Sequence, residues 1–211
     1  MSTVYLVMRA KYFRWIPLLY FKIFHRVKFY GYENIPDSGP VVIAPNHVSF
    51  YDPILVGIGI KRDLRYMAWE RLFSIPVLKG IIRFFGAFPV NITKFDKAAY
   101  VNALKALSEG EALVIFPEGG RSADGKMKDC KLGFARIACK TKAPIIPVTI
   151  VGAYEAWPRQ RKLPRPRQIL VYYHNPVRMK MGEFADMKAR NEFFTEVTNR
   201  VAGAISSKLP V

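Results

Sequence analysis

Cysteine is nearly missing: the 211 residues hold only Cys130 and Cys139, with no Cys-x-x-Cys pair and no matched histidine spacing. That excludes a disulfide framework or a zinc ribbon and suits two reduced, packed thiols in a cytosolic domain. Acidic residues are also scarce, 16 against 33 Lys and Arg, which leaves a formal charge of +17. Such a surface attracts any polyanion, whether nucleic acid, anionic lipid or a phosphorylated substrate. No zinc-finger spacing, RNP-like aromatic motif or basic recognition helix accompanies the charge, so no nucleic-acid partner is expected. Internal repeats and low-complexity tracts are lacking too. Within the first thirty residues the longest uncharged run after the initial eight is Trp15 to Phe21. That is far below the roughly 20 residues that cross a bilayer. The charges there follow the apolar start and no small-residue cleavage site appears, so a secretory signal is not expected.

What is present is apolar and aromatic: 51% hydrophobic residues, with 15 Phe, 11 Tyr and 3 Trp, a composition that favours interfaces. The length suits one α/β domain that buries roughly 70% of the surface its unfolded chain exposes. At about 100° per residue, Lys11, Arg14, Lys22 and His25 share an arc of about 80°. Most of Tyr12, Phe13, Trp15, Ile16, Leu19, Tyr20, Ile23 and Phe24 lie elsewhere on the wheel. This predicts basic amphipathic helices over residues 1–28, broken or bent at Pro17, lying in the plane of an anionic membrane surface. The competing expectation is a helix packed on the protein's own core.

From Gly31 onward, short apolar or β-branched runs bounded by Gly or Pro predict buried strands at Val41–Ala44, Phe88–Ile92, Leu113–Phe116, Ile145–Ile150 and Ile169–Tyr173. Helices are expected at Pro53–Gly59, Lys97–Ser108, Leu132–Thr141 and Phe184–Ser207, and loops at Ser122–Lys131 and Trp157–Arg167. The order predicts an α/β fold with a mixed, mostly parallel sheet flanked by helices.

Two strand ends carry chemistry. After Val41–Ala44 comes Asn46-His47-Val48-Ser49-Phe50-Tyr51-Asp52-Pro53. Asp before Pro predicts a helix capped by Asp52 and starting at Pro53. If His47 lies in the loop before that helix, the carboxylate can accept from one imidazole nitrogen while the other faces a substrate. A satisfied loop histidine beside a plain helix cap is the alternative. After Leu113–Phe116 comes Pro117-Glu118-Gly119-Gly120-Arg121-Ser122. There two glycines permit close backbone approach, Glu118 can bind a hydroxyl and Arg121 can fork onto phosphate. A glycine turn with a surface ion pair is the alternative.

Together the two motifs resemble those of the glycerolipid acyltransferases, typified by bacterial 1-acyl-glycerol-3-phosphate acyltransferase, with Asn-His-x4-Asp first and Phe-Pro-Glu-Gly-Thr-Arg-Ser third. Gly86-Ala87-Phe88-Pro89-Val90 resembles that family's second motif, Lys131-Leu132-Gly133 the basic segment after the third, and Ile146-Pro147-Val148 the fourth. Two positions depart from the pattern. Gly120 stands where Thr is usual, and Asn91-Ile92-Thr93-Lys94 stands where the second motif continues to an arginine. The resemblance implies residues 29–211 as the acyltransferase domain, with His47 as base and Asp52 as its support. The donor would be acyl-CoA or acyl carrier protein, and the acceptor a lysophospholipid such as 1-acyl-glycerol-3-phosphate, with glycerol 3-phosphate, a lyso-ornithine lipid or a non-enzymatic membrane module as alternatives. Asn46, Glu118, Gly119, Gly120, Arg121 and Lys94 are the expected substrate contacts, with oxyanion donors near Gly119 and Gly120 or on a neighbouring loop. No metal and no cofactor is implied, and the expected location is the cytoplasmic face of the cell membrane, held peripherally. The apolar stretch Leu72–Phe85, with Phe73, Ile75, Val77, Leu78, Ile81, Ile82 and Phe84, can line an acyl groove or pack in a core.

Overall fold

The computed structural model describes residues 14–179 and 184–210. In chain order these form α1 (Trp15–His25), β1 (Lys28–Tyr30), β2 (Val41–Pro45), α2 (Asp52–Ile58), β3 (Leu64–Trp69), α3 (Pro76–Phe84), β4 (Ala87–Val90) and α4 (Lys97–Ser108). Then follow β5 (Ala112–Val114), α5 (Gly133–Thr141), β6 (Ile145–Val151), α6 (Ala153–Ala156), β7 (Leu170–Tyr173) and α7 (Met187–Ser206). One sheet results, ordered β1-β7-β6-β2-β5-β3-β4. From β6 through β4 every pairing is parallel; β7 pairs antiparallel with β6 and parallel with β1. The mixed, mostly parallel α/β sheet is as expected.

Every residue of β2 is buried, because helices cover both faces of a central parallel strand. Its side chains alternate between two cores. Val41 and Ile43 join Phe21, Leu55, Val56 and Val148 on one face, while Val42 and Ala44 join Ala103, Leu107, Phe134, Ala138, Val197 and Val201 on the other. Two strands were not expected, β1 and β3. Neither has a continuous apolar run, and β3 is mostly half-buried, so pairing with their neighbours makes them strands. β4 stops at Val90 because Asn91 enters a turn, its N–H donating to Asp96 Oδ2 at 2.9 Å. α4 follows from an Asp96 cap on the Ala99 N–H at 3.0 Å. α7 begins at Met187 rather than Phe184 because Asp186 caps it through the Ala189 N–H at 2.7 Å.

α1 departs from the expected polarity. It starts at Trp15, so Pro17 sits in the first turn, where its missing N–H costs nothing. Any first helix of a two-helix anchor lies outside the described residues. Arg14 donates to the carbonyls of Ile60 and Lys61, and His25 is buried beside Phe21 and Tyr51. Two members of the expected basic face thus point into the body. The outward face is mostly apolar, with Trp15 63% and Ile23 72% exposed beside exposed Ile16 and Leu19, and Lys22 is exposed as well. Phe21 and Val27 belong to the same core as β2, so the 1–28 segment and the body share packing here.

Candidate active site

In a parallel sheet the loops after neighbouring strands meet at the carboxyl edge, the usual place for a site. β2 and β5 are neighbours, and their loops carry the His47 and Glu118-Arg121 motifs. His47 Nδ1 lies 2.8 Å from Asp52 Oδ2. A carboxylate only accepts, so Nδ1 carries the proton and Nε2 keeps its lone pair. The imidazole stacks on Phe116, ring centroids 3.9 Å apart, and its side chain remains 15% exposed. It is therefore a packed, oriented ring with one open nitrogen rather than a loosely held loop histidine.

Asp52 is the first residue of α2, one earlier than expected, and it does not cap that helix forwards. Its Oδ2 instead turns back to accept from the Val48 and Ser49 N–H groups, each at 2.7 Å. The loop curls around the carboxylate because these donors have no strand or helix partner. Oδ1 is buried with no hydrogen-bond partner among the described residues. The carboxylate thus holds both the ring and the loop that presents it.

Three expected substrate contacts are otherwise engaged. Asn46 is buried and clamps β6, with its Nδ2 donating to Ile150 O at 3.1 Å and its Oδ1 accepting from Ile150 N–H at 2.7 Å. This spends its amide on the backbone and corrects the expectation that it touches substrate. Glu118 is buried as well, with Oε1 accepting from His47 N–H at 2.7 Å and Oε2 from Lys128 N–H at 2.9 Å. Burial pushes its carboxyl pKa up, and those two donors oppose the rise. With Ser122 N–H donating to His47 O at 2.8 Å, the second loop grips the His47 peptide from both sides. Gly119 has φ +70°, a left-handed conformation that favours glycine, and it lies against the flexible Lys131 side chain. Its N–H closes a turn onto Phe116 O at 3.0 Å, which removes it as an oxyanion donor; Gly120 is half-buried beside it.

Arg121 is placed differently. Its guanidinium lies 3.6 Å from the Phe50 ring centroid, and its Nη1 is buried with no partner among the described residues. Burial lowers its pKa, the charge of Arg159 lowers it further, and Asp52 opposes both. A buried guanidinium nitrogen facing its own catalytic loop without an acceptor is a ready position for an anionic group. Lys94 does not join it: it is exposed, in a turn where its N–H donates to Asn91 Oδ1 at 3.2 Å and its charge bears on Asp96. Cations near Arg121 include Arg159, and Lys128, whose Nζ donates to Arg121 O at 3.1 Å. Arg159 was missed because it lies in a loop on the far side of β6, a proximity that sequence spacing does not carry. In the Leu72–Phe85 stretch, α3 has no fully buried residue, and Ile75, Val77, Ile81 and Phe85 are exposed.

Comparison with known proteins places this arrangement. The acyltransferase family model matches residues 26–151, which spans both motifs. The chain is 30% identical over 186 residues to the 1-acyl-sn-glycerol-3-phosphate acyltransferase of Bacillus subtilis, covering 87% of this chain and 89% of that one. It is 29% identical over 194 residues to the chloroplastic 1-acyl-sn-glycerol-3-phosphate acyltransferase BAT2 of Brassica napus, 87% of this chain but 56% of the relative, so it spans about half the length of such plant relatives. The crystal structure of the 1-acyl-sn-glycerophosphate acyltransferase PlsC from Thermotoga maritima superposes with a TM-score of 0.72 at 28% identity, over 98% of this chain and 82% of that one. The chain belongs to the acyltransferase family, within which it resembles the bacterial glycerolipid enzymes.

Proposed function

We propose that this protein transfers a fatty acyl group from acyl-CoA or acyl carrier protein to the 2-hydroxyl of 1-acyl-glycerol-3-phosphate, giving phosphatidic acid for phospholipid synthesis. The observation that carries the reading is the His47–Asp52 pair at the carboxyl edge of β2, with the unpartnered Arg121 guanidinium nitrogen facing the same loop. His47 Nε2 takes the acceptor hydroxyl proton as the oxygen attacks the thioester carbonyl. Asp52 stabilises the imidazolium so formed. When the tetrahedral intermediate collapses, the carbon–sulfur bond breaks and the thiolate leaves, taking the proton from His47. The acyl group never resides on the protein. Arg121 holds the acceptor phosphate, with Arg159 as the second cation that a dianion requires in place of Lys94. Gly120 N–H is the remaining candidate of the glycine pair for the oxyanion. The exposed apolar residues of α3 are the acyl-chain contacts.

The protein works as a peripheral enzyme on the cytoplasmic membrane face. The outward apolar face of α1 and the +17 charge support this. Among the described residues no helix is long and apolar enough to cross a membrane. The test is a panel assay: the purified full chain with dispersed lysophosphatidate, glycerol 3-phosphate or a lyso-ornithine lipid, each against acyl-CoA and acyl carrier protein. Free thiol and phosphatidic acid should form together with lysophosphatidate. Turnover confined to the ornithine lipid would replace the acceptor assignment, and no thiol release with any pair would leave only a membrane-binding module.

A further inference from the structure

Apart from Arg159, the loop after α6 takes no part in the chemistry above, yet it is among the most basic segments of the chain. Between Trp157 and Gln168 it holds Arg159, Arg161, Lys162, Arg165 and Arg167, three prolines and no acidic residue. It is built rather than slack. Arg165 N–H donates to Ala156 O at 2.9 Å and closes the base, Trp157 Nε1–H donates to Arg161 O at 3.1 Å, and Arg161 N–H donates to Pro158 O at 3.2 Å. Prolines further limit the conformers such a loop must give up on contact.

Both roots of the loop are tied to functional elements. Ser49 Oγ–H donates to Trp157 O at 2.8 Å, and the Trp157 ring lies 5.0 Å from those of Phe50 and Tyr51, on the His47 loop. At the other root, His25 Nδ1–H donates to Arg167 O and Ile169 N–H donates to His25 O, each at 3.1 Å, at the end of α1. The loop therefore bridges the catalytic loop and the helix with the outward apolar face. Its tip is Leu163, 75% exposed, as much as any aliphatic side chain among the described residues, next to exposed Lys162 and near exposed Arg167. An apolar side chain held out on a braced, wholly basic loop matches a surface whose headgroups are anionic and whose interior is apolar.

We propose that the 157–168 loop is a second membrane-contact element, with Leu163 entering the headgroup layer of an anionic leaflet while Arg161, Lys162 and Arg167 bind lipid phosphates. This rests on the membrane-surface reading of α1. A leaflet that receives both α1 and this loop lies against the His47 loop between them, so the acceptor reaches the site from the leaflet without crossing water.

The test uses the full chain with phosphatidylcholine vesicles that contain or lack phosphatidylglycerol. An environment-sensitive fluorophore goes on Leu163→Cys; the native thiols compete little, because burial pushes Cys130 up to about 11 and Cys139 is buried. Probe emission should shift blue on the anionic vesicles and much less on the neutral ones. Lys162→Glu and Leu163→Asp should weaken anionic-vesicle binding, by about fivefold or more for each unit by which the charge becomes more negative. Both should lower turnover of bilayer-borne acceptor and leave turnover of a short-chain, dispersed acceptor unchanged. The proposal falls if the probe is unmoved by vesicles that the chain binds, if both variants bind like the parent, or if dispersed turnover falls while binding holds. A parent with no turnover of any acceptor sinks the acyl-transfer reading instead, while the probe still decides the loop.

Discussion

His47 and Asp52 act as one unit, and their substitutions should separate chemistry from structure. His47→Ala should lower turnover by at least about 10²-fold, the usual scale for a lost general base. Because the ring stacks on Phe116, His47→Gln should lose as much turnover while keeping more of the thermal stability. Near-normal turnover in either folded variant would end the mechanism. At Asp52, Asn can keep an oxygen facing Val48, Ser49 and His47 but not the charge. Asp52→Asn should therefore lose activity with little loss of stability. Asp52→Ala should also cost about 1–3 kcal/mol in urea unfolding, since it strands buried N–H groups. Equal unfolding curves for the two would show that the carboxylate does not hold the loop. For the acceptor, Arg121→Ala and Arg159→Ala should raise KM for lysophosphatidate and leave that for the acyl donor nearly unchanged. Lys94→Ala should change neither; a raised acceptor KM in that variant would return Lys94 to the site.

At the scale of elements, α1 ends on the buried His25, and the half-buried His174 directly follows β7. Burial lowers the pKa of His25 and of His174, and Lys208 lowers His174 further. An unfolded chain takes up these protons near pH 6.5, before the native state does. Their contribution to stability is therefore full above that pH and is lost as the pH falls through the depressed native values. Unfolding free energy should decline as the pH falls below about 6.5, with a limiting slope of about 1.4 kcal/mol per pH unit for each proton. His25→Phe should flatten that slope in thermal melts across the pH range; an unchanged slope would place the titration elsewhere. Element by element, α4 was legible to the residue because Asp96 caps it and its apolar spacing is regular. β1 and β3 were not, because partner strands and not their own patterns make them strands. α1 was legible as a helix but not in its facing, since the destinations of Arg14 and His25 lie on segments far along the chain.

For the whole molecule, the charge and the apolar face of α1 predict different salt responses. Between about 0.01 M and about 1 M ionic strength the screening length falls from about 30 Å to about 3 Å, so vesicle binding by the basic surface should weaken steeply. The residual binding at high salt should be lost in Ile23→Asp. If that variant binds like the parent at high salt, α1 does not enter the leaflet. Surface substitution is the right experiment because deleting residues 1–28 would also remove Phe21 and Val27 from the core. Unfolding and detachment would then be indistinguishable.

The sequence by itself determined what depends on neighbours along the chain. The strand-then-motif order put His47 and Arg121 at strand ends, the five-residue spacing to Asp52 allowed the dyad, and the apolar runs announced a mostly parallel sheet. Only the tertiary structure decided what depends on contacts between distant segments. Glu118 holds the His47 peptide from 71 residues away, and Asn46 clamps β6 from 104 residues away. Both looked like substrate ligands because a polar side chain in a motif carries no sign of whether its partner is a ligand or a buried backbone group. Burial settles that, since a buried amide or carboxylate must pair with whatever backbone donors and acceptors the fold brings to it.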